Sequence, residues 1–346
     1  MIQFSVFSVL DYYDDGSRTF SALYEQQLEQ IMAAEQLGFD AYWIGEHHGY
    51  LNPHHALVCP NPAVLLAAAA QRTRRIGLNT AVANLSLRHP LLVAEDYALV
   101  DLLSSGRLGL GIGRGSFGHE YTAFGQTREE SRGRFEESWE IIQRVWRGET
   151  VTFDGRYYHL DQARIAVLPV QKPFPRYWLS ALRAESFIML GRAAQPVISL
   201  PHLTSESFQS LAKLVETYRY NYLEAGGDDS RYELPLIFYT CVAPTRAEAR
   251  QRGVDALQRY ILHQHQGAAG HFSQIVRQLE ERELLWFGTP DDLIQFIERY
   301  QANMDSRHFV FWLDFGGMKS ELVQRSMQLL AKEVIPHFRS SEEDMR

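Results

Sequence analysis

The chain has 346 residues, 45% hydrophobic and 22% charged, and its 34 Lys and Arg against 42 Asp and Glu leave a formal net charge of −8. Such a composition is that of an ordinary soluble globular protein, and it excludes the concentrated basic surface that a nucleic-acid partner requires. The two cysteines, Cys59 and Cys241, exclude a disulfide framework and any multi-cysteine metal centre, while an opening segment without a cationic start and the lack of a long uncharged apolar run predict no signal peptide and no membrane span. A cytoplasmic protein is expected.

Short β-type runs alternate with longer helical ones along the chain. Strands are predicted at 3–9, 41–45, 76–83, 108–113, 177–181, 197–200, 236–242 and 308–313. Helices are predicted at 23–37, 62–72, 91–103, 129–146, 185–194, 206–225, 248–263 and 291–302, and a last one at 320–335 that Pro336 is placed to end. Gly38 reads as the glycine after the first helix, and Thr289-Pro290-Asp291-Asp292 as a cap with proline at the first helical position. Strict alternation implies parallel strands with right-handed crossovers. Eight such units predict an α/β fold, a single (β/α)8 TIM barrel over residues 1–338, with 339–346 a frayed polar tail. A doubly wound sheet is the second choice, and the first strand lacks the G-x-G-x-x-G turn that a dinucleotide-binding version carries. Segment 147–175 holds VTFDGRYYHL, whose Asp154-Gly155 reads as a hairpin turn. With 264–288 it forms the two insertions expected over the C-terminal face, where a barrel keeps its chemistry.

Candidate site residues therefore follow the strands. In the fourth, Gly109, Gly111 and Gly113 alternate with Leu108, Leu110 and Ile112; three glycines on one face either admit something flat against the backbone, or relieve packing against a helix or form bulges. Arg114-Gly115-Ser116 comes next, and Arg114 suits an anion such as phosphate. After the fifth strand, Arg183 and Ser186 flank a helix start, a phosphate-binding arrangement or simply a solvated charge and a surface hydroxyl. Glu46-His47-His48, with His54 and His55, offers four imidazoles within nine residues. Adjacent histidines on extended chain point to opposite faces, so a shared metal is not expected, and a hydrogen-bonding or acid–base histidine is the better reading. His54 and His55 read as surface loop residues. Trp43, Trp178, Trp312, Phe117 and Tyr121 are either pocket wall or core. The helix at 62–72 carries four successive alanines from Ala67, a smooth surface for this chain's own barrel or for a second subunit.

Several short segments together resemble the bacterial luciferase-like, flavin-dependent monooxygenases: Ala34-Glu35-Gln36-Leu37-Gly38-Phe39-Asp40, Trp43 with Glu46-His47-His48, Arg88-His89-Pro90, Ala94-Glu95-Asp96, the LSSGRL run at 103–108, Gly111-Ile112-Gly113-Arg114-Gly115, Phe287-Gly288-Thr289-Pro290 and Glu333-Val334-Ile335-Pro336. The resemblance runs from Phe4 to about Phe338. It implies a TIM barrel that takes reduced FMN from a separate flavin reductase and oxygenates a small organic substrate with O2 through a flavin hydroperoxide. It also implies that His47 is the active-site histidine, that Arg114 contacts the FMN phosphate with the region of Arg183 and Ser186 completing that site, and that Ala81, Val82 and Ala83 lie beside the isoalloxazine, where the family can carry a non-prolyl cis bond. Gly113, Gly115 and Ser116 complete the cofactor wall, Glu46 is structural, and 264–288 is the candidate lid over a water-excluding mouth. A homodimer is the family habit. In the light-emitting members the turn reads I-C-R-G; Gly113 stands here in the cysteine's place, so light emission is not expected.

Three other functions compete. Relatives in the superfamily use a deazaflavin for hydride transfer on the same fold. A metal-dependent barrel hydrolase would draw on the histidines. A flavin-binding subunit with no activity of its own is the third, and His47 with Arg114 argues against it.

Overall fold

The computed structural model describes residues 2–229, 232–264 and 272–343. Nine parallel strands form one curled sheet: β1 (Gln3–Ser8), β2 (Ala41–Ile44), β3 (Gly77–Asn84), β4 (Leu108–Gly113), β5 (Arg176–Ser180), β6 (Val197–Ile198), β7 (Leu236–Val242), β8 (Trp286–Gly288) and β9 (His308–Trp312). Their order across the sheet is β6-β5-β4-β3-β2-β1-β9-β7-β8. Just past β6, Ser199 makes an isolated parallel bridge to Leu236 at the start of β7; its N–H donates to Pro235 O at 3.1 Å and its carbonyl accepts from Ile237 N at 2.9 Å. Eight of the nine strands are those expected. The ninth, β8, is three residues long and lies inside what reads as the 264–288 insertion.

Local chemistry sets the connecting helices. Helix α1 (Phe20–Leu37) is capped by Thr19, which accepts from Ala22 N, and ends on Gly38 at φ 84°, the left-handed value that costs glycine no Cβ clash. Helix α2 (Pro62–Arg72) starts behind the Asn61 cap with proline in its first turn, and α3 (Pro90–Leu103) begins in the same way after His89. Before β9, the helix Pro290–Met304 opens with a capping box in which Thr289 and Asp292 satisfy each other's backbone N–H. Inside the sheet, Trp43 of β2 packs at 5.0 Å from Trp178 and 5.6 Å from His308. These two tryptophans are core, as their strand positions allow.

Three expectations need correction. Pro336 does not end the last helix. A π-helical turn at Leu330–Val334 precedes it and the chain continues helically over Ile335–Glu343; a widened turn leaves room for a ring without an N–H. In consequence Arg339, placed in the frayed tail by sequence, donates to Gly38 O at 3.0 Å. His55 is no surface residue: it is buried on the short strand His55–Leu57 and stacks on Tyr13 at 4.5 Å, while His54 is exposed. Finally, Val151–Asp154 and His159–Ala163 do form the antiparallel hairpin, but it packs on the helix Ser131–Trp146, where Glu137 accepts from the N–H groups of Arg156, Tyr157 and Tyr158. None of its described residues lines the cavity at the strand ends.

Candidate active site

A cavity of about 960 Å³ opens at the C-terminal ends of the strands, the upper end of the roughly 300–1,000 Å³ range of small-molecule sites. It has room for a cofactor and a second organic molecule. Of the expected site residues, His47, Ala81, Val82, Gly113, Arg114, Gly115, Ser116, Arg183 and Ser186 all line it. Ala83 does not; it is buried in the sheet core. From the second insertion, Ile275, Gln278, Leu279 and Arg282 contribute. These come from helix α4 (Phe272–Glu281) and the residue after it; residues 265–271 of the candidate lid lie outside the described residues.

The β3–β4 pair explains both the three glycines and the wall they build. Pairing is regular up to Thr80–Leu110 and resumes at Ala83–Ile112, so Ala81 and Val82 are extruded from the ladder, and the bond between them is cis. Each glycine makes space for its own neighbour. A Cβ on Gly111 would lie 2.1 Å from Thr80 O, one on Gly113 would lie 2.6 Å from Val82 Cγ2, and one on Gly109 would lie 2.3 Å from Asn79 Oδ1. The bulge reading holds, with the crowding coming from neighbouring strands and not from a helix, and its result is that Ala81 and Val82 border the cavity.

His47 emerges after β2, and a carboxylate that sequence reasoning missed holds it. Its Nδ1 is 3.2 Å from Glu120 Oε1, on the six-residue helix Gly118–Ala123. The same oxygen accepts from His48 N at 2.9 Å. Burial pushes the Glu120 carboxyl up, but the hydrogen bond and charge of His47, the His48 N–H and the charge of His48 outweigh it and hold the group below its usual range. An ionised carboxylate only accepts, so Nδ1 carries a proton toward it, and in the tautomer with a single ring proton Nε2 is the acceptor. The ring lies 5.2 Å from Phe117, another wall residue. Glu46 is the structural anchor expected: its carboxylate pairs with His48 Nε2 at 3.0 Å and accepts from Asn84 N at 3.1 Å, tying the ends of β2 and β3. The four clustered histidines thus go four separate ways.

The anion end is equally defined. The carbonyls of Arg114 and Gly115 are pinned by Tyr121 Oη at 2.8 and 2.9 Å, and Ser86 Oγ donates to Arg114 O at 2.5 Å. Gly115 sits at φ 88°. Arg183 occupies the cap position of the helix Ala184–Arg192, with Ser186 in its first turn. Both guanidinium groups are exposed, and neither has a carboxylate partner among the described residues. Two uncompensated arginines, a hydroxyl and a helix N-terminus fit a phosphate.

The other walls are mainly apolar, among them Phe7, Val9, Tyr239 and Trp312. Sequence reading also missed His202, on the four-residue helix Pro201–Thr204. It packs at 4.8 Å from Tyr239, and burial pushes its imidazole down to about 4, so it is neutral at pH 7.

A family model for luciferase-like monooxygenases matches residues 4–306. The chain belongs to the luciferase-like monooxygenase family. Over 100% of its length it is 27% identical to the oxygenase component of the flavin-dependent trigonelline monooxygenase of Acinetobacter baylyi, covering 98% of that protein. It is 36% identical to the uncharacterized protein y4wF of Sinorhizobium fredii, in a match that spans only 52% of each chain. An F420-dependent glucose-6-phosphate dehydrogenase of Amycolatopsis mediterranei is 33% identical over 43% of this chain and 46% of its own. Among solved structures, the monooxygenase RslO1 of Streptomyces bottropensis superposes with a TM-score of 0.86 at 27% identity, covering 97% of this chain and 100% of that one. Among the described residues no helix is long and apolar enough to cross a membrane.

Proposed function

We propose that this family member is an FMN-dependent monooxygenase, the oxygenating component of a two-component system that receives reduced FMN from a separate flavin reductase and uses O2 on a small organic substrate. The observation that carries the reading is one cavity with an uncompensated cationic end, Arg114 and Arg183, and a carboxylate-oriented histidine, His47, on the same wall. Arg114, Arg183, Ser186 and the turn at Gly115-Ser116 would hold the FMN phosphate. Ala81, Val82 and Gly113 would border its ring. Reduced flavin, when bound, supplies the electrons that let dioxygen react. The chain supplies placement and exclusion: the apolar wall keeps water from the reacting centre, and Nε2 of His47 is the group able to hold or move a proton there. The whole-length likeness to a flavin-dependent oxygenase component supports this choice. The matching F420-dependent dehydrogenase supports a second reading, hydride transfer with a deazaflavin in the same cavity.

The sheet belongs in the same proposal. With Ser199 bridging the end of β6 to the start of β7, the eight strands other than β8 have their outer members linked, which supports reading the sheet as a closed (β/α)8 barrel. Titrating oxidised FMN and F420 separately, and then following photoreduced FMN in air, tests the function. FMN is expected to bind, and its reoxidation is expected to slow when the protein is present. Binding of F420 without binding of FMN would overturn the first reading in favour of the second.

A homodimer is the proposed assembly. Val64 and Ala68 of α2 and Leu92, Leu99, Leu102 and Leu103 of α3 are exposed apolar positions at helical spacing on two adjacent helices, the kind of contiguous patch that soluble monomers rarely leave in water. Sedimentation equilibrium is expected to give twice the chain mass, and Leu99→Glu to shift it toward one chain. A wild-type monomer would sink the idea.

A further inference from the structure

We infer that the second molecule in the cavity is an organic carboxylate, held through its carboxylate by Arg282 and Gln278. The flavin proposal decides what becomes of that molecule, and in that sense the inference rests on it.

Helix α4 turns one face to the cavity. Ile275, Gln278, Leu279 and Arg282 follow at steps of three, one and three residues, and all four line it, as the helical repeat dictates for one side of a helix. The flank of the helix next to that face is anchored by Phe272 and Val276, which are buried in the core, so the cavity face is fixed rather than free to roll. On it, Ile275 and Leu279 are apolar; the two polar members, Gln278 and Arg282, are four residues apart and therefore adjacent.

Both are half-buried. Their backbones are engaged, with Arg282 N donating to Gln278 O at 3.0 Å and Arg282 O accepting from Phe208 N at 3.1 Å. Their side chains have no hydrogen-bond or ionic partner among the described residues, whereas the other charges on this helix are matched: Arg250 bonds Glu280 at 2.7 Å, and Arg277 faces Glu281 at 4.0 Å. A cation withdrawn from water without a counter-charge raises the free energy of the fold, and an anionic ligand removes that penalty. The guanidinium fork and the amide N–H next to it match the two oxygens of a planar carboxylate.

The phosphate end has a different build, with two exposed arginines, a glycine turn and a helix N-terminus. On its own helix face Arg282 is flanked by Ile275 and Leu279, and the cavity wall also includes Leu203, Ile261 and the neutral imidazole of His202. One charge set in apolar surroundings selects a molecule with one charged end and an apolar body. Arg282 also directly follows the C-terminus of α4, where a cation stabilises the helix by its dipole alone. That role would affect stability and would not distinguish a carboxylate from its amide.

The test uses naphthalene-2-carboxylate and naphthalene-2-carboxamide as probes, titrated calorimetrically into the full-length protein without flavin and with inorganic phosphate present to fill the Arg114–Arg183 end. Wild type is expected to bind the carboxylate about tenfold or more tighter than the amide, as a charge-assisted bond in a partly buried site gives. Arg282→Gln is expected to bring the two affinities together, and Arg282→Lys to keep part of the preference. FMN affinity, measured in parallel, is expected to be the same in all three proteins. Equal binding of the two probes by wild type overturns the inference, and so does a preference that survives in Arg282→Gln. A fall in FMN affinity on Arg282→Gln would assign the arginine to the cofactor instead and overturn it too. If wild type discriminates between the probes and binds no FMN, the flavin proposal fails while the carboxylate site stands.

Discussion

Replacing His47 with alanine is expected to lower turnover by roughly 100- to 10,000-fold, the span for loss of a positioned acid–base group, and to leave FMN affinity unchanged. The two effects separate because the imidazole and the arginines proposed to hold the phosphate line the same cavity but share no hydrogen bond among the described residues. Substrate oxidised per photoreduced FMN, beside an FMN titration, measures both. Glu120 acts through His47 and is a positioning residue. Glu120→Ala removes the acceptor of the 3.2 Å bond to Nδ1, frees the ring to turn and lets either nitrogen carry the proton, so kcat falls with little change in KM. Glu120→Gln keeps an oxygen acceptor at that place and is expected to recover most of the loss. Were Glu120 only a brace for the loop through its bond to His48 N, the alanine and glutamine variants would differ in stability and not in kcat. The carboxyl is held below its usual range, so the stability it contributes is present above the unfolded value of 4.5 and is lost as pH falls through its lower folded value. No acid limb of activity between about pH 5 and 7 arises from Glu120. A His47→Ala enzyme that retains wild-type turnover would end the acid–base assignment.

How much of this was legible beforehand depended on distance along the chain. Caps such as Gly38 and Thr289-Pro290 are local chemistry, and the strand–helix alternation is a periodic signal; both read directly from sequence. Arg114, Arg183 and Ser186 were readable because a parallel sheet delivers the residue after each strand to one end. Glu120 and His202 were not, since helices of six and four residues are too short to show a period. The pairing that gives Glu120 its meaning joins residues 73 apart in sequence. The glycines of β4 were visible, but their reason lies in the neighbouring strand: only the extruded Ala81-Val82 shows why Gly111 and Gly113 can carry no Cβ. Likewise Pro336 is a helix breaker by local rule, and the π turn ahead of it overrides the rule through its wider winding.

Asp314 provides the second large effect. Stability is expected to decline as pH rises from about 4 toward 8, and Asp314→Asn is expected to remove most of that decline. The carboxyl follows β9 and meets Ser8 of β1, whose Oγ lies 2.7 Å from Asp314 Oδ2 and 2.8 Å from Gln27 Oε1. Ser8 has one hydroxyl proton for two acceptors. Its oxygen already accepts from Leu10 N at 3.1 Å, and Gln27 is fixed in orientation because its Nε2 donates to Tyr42 Oη at 2.8 Å. A protonated Asp314 resolves the conflict: it donates to Ser8, and Ser8 donates to Gln27. Burial works in the same direction. With the nearby charge of Asp11 added, and the Ser8 bond only partly opposing, it pushes Asp314 up to about 8; the second oxygen, Oδ1, is buried with no hydrogen-bond partner among the described residues. Between the unfolded value of 3.8 and the folded value of about 8, the native chain holds a proton that the unfolded chain has released. The contribution is therefore complete below about pH 4 and disappears as pH rises through 8. At about 1.4 kcal/mol per pH unit, that interval corresponds to a loss on the order of 5 kcal/mol, a large share of a typical domain's stability. The amide introduced by Asp314→Asn would repeat the neutral acid's donor to Ser8 without titrating. Urea midpoints of wild type and Asp314→Asn at about pH 5, 6, 7 and 8 isolate the effect, because Asp11 and every other ionisable group are common to both proteins. The variant is expected to be the more stable of the two at pH 8, and the gap to narrow steadily toward about pH 5. Parallel curves across that range would mean that Asp314 is ionised in the native protein, and the proton assigned to it would have to move to another group in the Ser8–Gln27 network.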